Sequence, residues 1–333
     1  MADTYFQGPN ERVDLVFVVD DSNSMETVQT ALATQAPAFL TALEATGSDY
    51  RAGVVTTDMN DPNRRGRLVA PWISPADPQR GANLVAALQV GDEGSQLERG
   101  LHAAWAAITP PLATHDNDGL IREDSRLAVV IVSDEDDCSD EGALPSNEPS
   151  ACAQFPNSLV GVAEYASRLR SMVDDPADVA FHAIVETGVT AEQEGCGGLN
   201  VGSRYIELAR LLGGLVTPHC ADAPSLMQEL ALQVAGRRSS FPLSRVPDPL
   251  TISVVVAWDV EPLGDDDDSA VAPGSNEVDP NEALVGASVP EDPTRANGWS
   301  WDEASNTLQL WGETLPGLGG AVQIRYQVAN DGG

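Results

Sequence analysis

Two kinds of apolar pattern alternate along the first two thirds of this chain. Residues 13–19, 126–132 and 179–185 are nearly unbroken runs of Val, Ile, Leu, Phe and Ala, the pattern of parallel strands covered on both faces of a sheet. Residues 50–57 form a further run of this kind and residues 215–217 a short last one. Between them, in residues 26–46, 96–108, 159–173, 204–212 and 226–235, apolar positions recur at helical spacing. Residues 66–73 read as the return strand of a hairpin at an antiparallel edge. Strands alternating with helices predict an α/β fold built on a doubly wound, mostly parallel sheet, which binds ligands at the carboxyl ends of its strands.

The pattern changes at Pro247-Asp248-Pro249, where turn chemistry marks a boundary. Residues 251–258, 307–311 and 321–328 read as strands, the last with period-two alternation, and no helix is evident among them. The expected organisation is a leader or linker over residues 1–9, an α/β domain over 10–242 and a small β-sandwich-like domain over 243–333. Within the last, residues 264–293 are acidic, with Asp265-Asp266-Asp267-Asp268, and poor in large apolar residues. They read as a loop, with Ca²⁺ as its alternative occupant.

The first strand runs directly into Asp20-Asp21-Ser22-Asn23-Ser24. Asp-x-Ser-x-Ser places a carboxylate and two hydroxyls where the chain turns from a strand into a helix, a hard-oxygen set suited to Mg²⁺ or Mn²⁺. The plain alternative is an Asp/Ser N-cap on the helix. Two other segments favour a metal. Residues 126–132 also end in a carboxylate, Asp134, and Gly91-Asp92-Glu93-Gly94-Ser95 brings a hydroxyl into a glycine-bearing loop before a helix. Asp58 ends another strand at the same edge.

Asp-x-Ser-x-Ser, a loop hydroxyl and a later strand-end Asp, in that order, resemble the metal-ion-dependent adhesion site of the von Willebrand factor A (vWA) family, over about residues 10–240. The resemblance implies metal ligation by Asp20, Ser22, Ser24, Ser95 and Asp134, with the aspartates direct or through water. It also implies a partner protein whose carboxylate completes the metal shell. Ser95 departs from the Thr usual in that position, keeping the oxygen and losing the methyl that stiffens the side chain.

Composition narrows the function classes. The chain has 333 residues, 42% of them hydrophobic, enough for a large core. Its net charge of -33 comes from 51 acidic against 18 basic residues, and all the basic residues are Arg. Without Lys there is no phosphate-binding loop, Schiff-base lysine or kinase lysine. The charge argues against nucleic acid or an anionic membrane as partner. No apolar stretch is long enough for a transmembrane segment. There is no Gly-x-Ser-x-Gly and no His-Glu-x-x-His, the four histidines are scattered, and Asp136-Asp137 reads as part of a solvated charge run. A binding protein is expected rather than an enzyme.

Cys138, Cys152, Cys196 and Cys220 form no Cys-x-x-Cys, so two disulfides are expected rather than structural zinc. Of the three connectivities, the sequential one, Cys138 with Cys152 and Cys196 with Cys220, closes the shortest loops. Paired cysteines point to the secreted, periplasmic or cell-surface compartment, with an export signal no longer part of this sequence. The function expected is metal-dependent protein binding by an exported adhesion-type protein. The first alternative is a structural or assembly component of a cell-surface structure in which the metal only stabilises. The second is a chelatase-type vWA subunit working with an ATPase.

Overall fold

The computed structural model describes residues 1–7, 12–148, 150–188, 196, 200–221, 224–258, 284–294, 297–303, 306–317 and 319–329. The chain divides into two compact units, Asn10–Ala235 and a second made of Met1–Pro9 with Gly236–Gly333. The acidic run at 265–268 lies outside the described residues.

The unit Asn10–Ala235 is an α/β fold around a five-stranded parallel sheet. Its strands are β2 (Arg12–Val19), β3 (Asp49–Thr56), β4 (Arg126–Ser133), β5 (Val179–Val185) and β6 (Val216–Pro218), in the order β3-β2-β4-β5-β6. Every residue of β4 and β5 is buried, as their unbroken apolar runs require of central strands. Against one face lie α3 (Gly100–Ile108), α5 (Val162–Arg170) and α6 (Ser203–Leu211), whose Leu101, Tyr165 and Tyr205 share a core with Val16, Val129 and Phe181. On the other side α1 (Glu26–Ala45) packs along α7 (Pro224–Val234), and Phe39 meets Phe17 edge-on with ring centroids 5.6 Å apart. Two short helices complete the unit, α2 (Arg80–Ala87) and α4 (Ala151–Gln154). Both disulfides have the sequential pairing, Cys138–Cys152 and Cys196–Cys220.

The second unit holds two antiparallel sheets. One has the order β1-β12-β8-β9, from β1 (Ala2–Gln7), β12 (Gly320–Arg325), β8 (Ser253–Ala257) and β9 (Ala287–Val289). The other is β10-β11-β7, from β10 (Gly298–Asp302), β11 (Thr307–Trp311) and β7 (Ser240–Pro242). Side chains of both sheets, among them Phe241, Val254, Val256, Trp299, Leu308, Val322 and Ile324, form a single apolar core.

Three expectations are corrected. Ala2–Gln7, expected within a leader or linker over residues 1–9, is a strand that pairs along its whole length with β12, and buried Gln7 exchanges both its amide groups with the Arg238 backbone. Residues 236–242 belong to the β unit, because Ser240–Pro242 pairs with β11. The edge strand expected at 66–73 reduces to one antiparallel bridge, Ala52 to Ile73. Pro71 has no N–H to offer a ladder there, and the Leu68 N–H is donated to Asn117 Oδ1 instead.

Candidate metal centre

β2 ends with the Asp20 N–H still donating to Val132 O, 2.9 Å away, so Asp20 extends the sheet by one rung. Its carboxylate turns the chain: Oδ1 accepts the Ser22 N–H at 2.8 Å, and Oδ2 accepts the Ser133 hydroxyl at 2.6 Å from the neighbouring strand. The Oγ atoms of Ser22 and Ser24 are then 3.3 Å apart. α1 starts only after this turn. Its N-cap is Met25, with no side-chain cap bond, so Asp20, Ser22 and Ser24 are not spent on capping the helix.

The loop before α3 presses against the same strand end. The Gly94 N–H donates to Asp21 O at 2.7 Å, and a Cβ on Gly94 would collide with the Asp21 carboxylate. Gln29, buried on α1, bonds Asp20 O at 2.9 Å and Gly91 O at 2.7 Å, tying strand end, helix and loop together. Asp21 itself is ion-paired with Arg64.

A carboxylate that sequence reading passed over completes the cluster. Oxygens of Asp20, Asp21 and Glu98 lie within 4.8 Å of one another, with all three residues buried. Glu98 accepts the Thr57 hydroxyl on Oε2, while its Oε1 is buried with no hydrogen-bond partner. Burial, then the charge of Asp20, pushes the Glu98 carboxyl well above the usual carboxylate range. Burial likewise raises Asp20, against the opposing effect of its bonds from Ser133 and Ser22.

Of the five predicted ligands, Asp20, Ser22 and Ser24 come together at the strand end. Asp134 is half-buried just beyond β4, with Oδ1 sequestered and unpartnered, and its charge adds to the upward push on Asp20 and Glu135. Ser95 is turned to other partners, accepting Asn60 Nδ2 at 2.8 Å and the Leu97 N–H at 3.0 Å. Asp58 shapes a turn through the Asn60 and Asp61 N–H groups.

The expected solvated run after Asp134 is instead a structural bracket. Asp137 is 2% exposed; it accepts the Leu101 N–H at 3.1 Å and Arg204 Nε at 3.0 Å. Ser139 Oγ accepts the His102 N–H at 2.8 Å, so this loop caps α3 from outside the helix. Arg99, 5% exposed, bonds Asp140, Asn60 and Asn147 together. The Cys138 N–H donates to Glu98 O at 2.6 Å, which fastens the disulfide-bearing insertion to the cluster.

The donors gathered here are all oxygens. Two raised carboxyls and two buried carboxylate oxygens without partners, on Glu98 and Asp134, fit a hard divalent cation, whose charge would offset the desolvation these groups suffer. A soft metal would find no sulfur or nitrogen among Asp20, Ser22, Ser24, Glu98 and Asp134.

No protein-family model and no curated protein sequence matches this chain. Among solved structures it is similar to proximal thread matrix protein 1 from the mussel byssus, at 12% identity and a TM-score of 0.39, over 76% of this chain and 51% of that one. It is also similar to a von Willebrand factor type A protein from Catenulispora acidiphila, at 12% identity and a TM-score of 0.36, over 100% of this chain and 66% of that one. The chain spans about half the length of the mussel protein. These are likenesses of fold; the α/β architecture stands on its own strand order and pairing.

Proposed function

We propose that this chain is a metal-dependent protein-binding module of the vWA type, holding one Mg²⁺ or Mn²⁺ at the carboxyl end of β2. The observation that carries the reading is the convergence of Asp20, Ser22, Ser24 and Glu98 with unpartnered carboxylate oxygens on Glu98 and Asp134. Ser22 and Ser24 supply hydroxyl ligands, Asp20 and Asp134 bind directly or through water, and Glu98 sets the negative field behind them. Ser95 joins the shell by exchanging its bond from Asn60 for the metal. A carboxylate of the partner protein takes the remaining position. With a net charge of -33, the surface favours partners that surround that carboxylate with basic residues.

The two disulfides support a protein that works outside the cytoplasm. Among the described residues no helix is long and apolar enough to cross a membrane. We read the chain as a binding protein rather than an enzyme, since its strand-end chemistry is that of a cation site.

Calorimetric titration of Mg²⁺ and Mn²⁺ into the full chain tests the centre. One ion should bind the native protein and none should bind Asp20→Ala at the same concentrations; equal affinity in the two sinks the assignment. Recovery of a partner from the native cell surface, with and without chelator, tests recognition. If capture survives chelation while the ion is gone, the metal only stabilises the fold and the structural-component reading takes over.

A further inference from the structure

We propose that the Cys196–Cys220 disulfide masks a second metal site, a tetrahedral Zn²⁺ site formed by Cys196, Cys220, His219 and Glu186 when that bond is reduced. Glu186 and His219 follow the ends of the next two strands, Cys220 comes right after His219, and Cys196 lies between β5 and α6; none of the four belongs to the oxygen cluster. Glu186 follows β5, where its Oε1 accepts the Gly188 N–H at 3.0 Å and its own carbonyl accepts the Gly202 N–H at 2.9 Å. His219 follows β6, held by its N–H to Val185 O at 3.1 Å. The Cys196–Cys220 bond lies beside them.

Ligand atoms of Glu186, Cys196 and His219 lie within 4.8 Å of one another. With zinc–ligand distances of about 2.0 to 2.3 Å, neighbouring donors on a tetrahedral ion stand about 3.3 to 3.8 Å apart. His219 Nε2 and Glu186 Oε2, 3.7 Å apart, are within a few tenths of an ångström of the spacing an N/O pair needs, and the Cys196 sulfur, within 4.8 Å of both, has at most about 1.3 Å to close. Cys220, bonded to Cys196 with Cα atoms 5.4 Å apart, is outside that group of three while oxidised and would turn its sulfur in once the bond is reduced.

Two further observations point to a ligand. Both ring nitrogens of His219 are buried with no hydrogen-bond partner, beside a carboxylate that is 2% exposed. A neutral imidazole so placed leaves both nitrogens without a hydrogen bond, a deficit that a coordinated cation would relieve. The Cys220 N–H donates to Cys196 Sγ at 3.1 Å, a bond that strengthens when the sulfur becomes a thiolate. In the disulfide the sulfurs are neutral and poor ligands, since the thiolate is the form that binds metals. The pair therefore blocks zinc while oxidised.

The conversion balances with a dithiol as reductant. Its two electrons and two protons break the S–S bond, leaving two thiols here and a disulfide on the reductant. Zn²⁺ then replaces the two thiol protons, which leave to solvent. This site has two sulfurs and a nitrogen, whereas the centre at Asp20 has oxygens alone, so the two are separable by spectroscopy.

Co²⁺ added to the full chain after phosphine reduction, with Zn²⁺ competing it off, tests the proposal. The reduced protein should show a thiolate-to-cobalt charge-transfer band and tetrahedral d–d bands, and the oxidised protein neither. Cys196→Ser with Cys220→Ser should abolish both bands although Cys138 and Cys152 remain. His219→Ala and Glu186→Gln should weaken Zn²⁺ binding about tenfold or more. Thiolate bands that persist in the double serine variant, or equal Zn²⁺ affinity in the oxidised and reduced chain, overturn the proposal. So does a reduced chain that loses its circular dichroism and does not regain it on adding Co²⁺.

Discussion

His182 lies in the middle of β5, 1% exposed, with Nδ1 accepting the Leu215 N–H at 3.0 Å. Burial first, then the charge of Arg126, holds its pKa down to about 3, from about 6.5. The folded chain therefore keeps it neutral while the unfolded chain protonates. Its contribution is complete above pH 6.5 and is lost as pH falls from there towards 3, at about 1.4 kcal/mol per pH unit. His182→Phe should be less stable at pH 7 by about 1 kcal/mol, for the unpartnered Leu215 N–H, yet show a flatter acid limb in denaturant titrations across that window. Asp20 and Glu98 have the opposite sign. Their raised pKa values make the folded state bind protons more tightly, so stability is lost as pH climbs through the usual carboxylate range towards the folded values, and a bound cation restores it. Added Mg²⁺ should raise Tm at neutral pH in the native chain. In Glu98→Gln, where the repulsion is already relieved, the cation-free Tm should be higher and the Mg²⁺ increment smaller. Asp20, Ser22 and Ser24 were legible as a motif because they sit together in sequence. Glu98 was not: a lone carboxylate beside Leu97 carries no periodic signal, and only the fold reveals that it faces Asp20.

At the scale of elements, helical periodicity located α1, α3, α5, α6 and α7 but set the start of α3 at Gln96, whereas it begins at Gly100. Residues 96–99 are committed elsewhere: the Arg99 N–H goes to Thr57 O at 3.2 Å, and the Glu98 side chain goes to the carboxylate cluster with Asp20 and Asp21. The caps of α3 come from Asp137 and Ser139, 36 and 37 residues from the N–H groups they accept, so no local capping signature existed to be read. Asp137→Ala removes both that cap and the carboxylate paired with Arg204; it should destabilise by about 3 kcal/mol or more in chemical denaturation. Ser139→Ala should cost about 1 kcal/mol. α2 escaped notice because among its eight residues only Leu84 is buried, too little for a periodic pattern. The Cys138–Cys152 bond closes a loop with a sequence separation of 14. Replacing both cysteines by Ser should lower stability by about 3 kcal/mol and, because the Cys138 N–H holds Glu98 O, weaken Mg²⁺ binding in the same titration.

For the whole molecule, the α/β unit was readable because its strands are apolar throughout, while the β unit was only half readable. Its strands β7 and β9 have three residues each, and one whole edge comes from the other end of the chain. Nothing in Ala2–Gln7 marks it as a partner for Gly320–Arg325; the ladder between them is accompanied by contacts distant in sequence, Tyr5 near Phe241 with ring centroids 5.2 Å apart and Gln323 donating to Thr4 at 3.1 Å. Removing residues 1–7 should speed limited proteolysis within residues 236–329 and leave protection of residues 12–235 unchanged. Equal cleavage with and without the segment would refute a structural role for β1.

The pairing of β1 with β12 also gives this protein a timetable. A ribosome delivers Ala2–Gln7 first and Gly320–Arg325 near the end of the stretch described here, and at roughly 5–20 residues per second the early strand waits on the order of tens of seconds for its neighbour. The α/β unit between them is delivered whole in the interval and can close around its sheet with the Asp20, Asp21 and Glu98 cluster already assembled. The β unit is a clasp fastened last. On stalled nascent chains, protection from protease should therefore appear for residues 12–235 well before residues 320–325 emerge, and for residues 2–7 only afterwards.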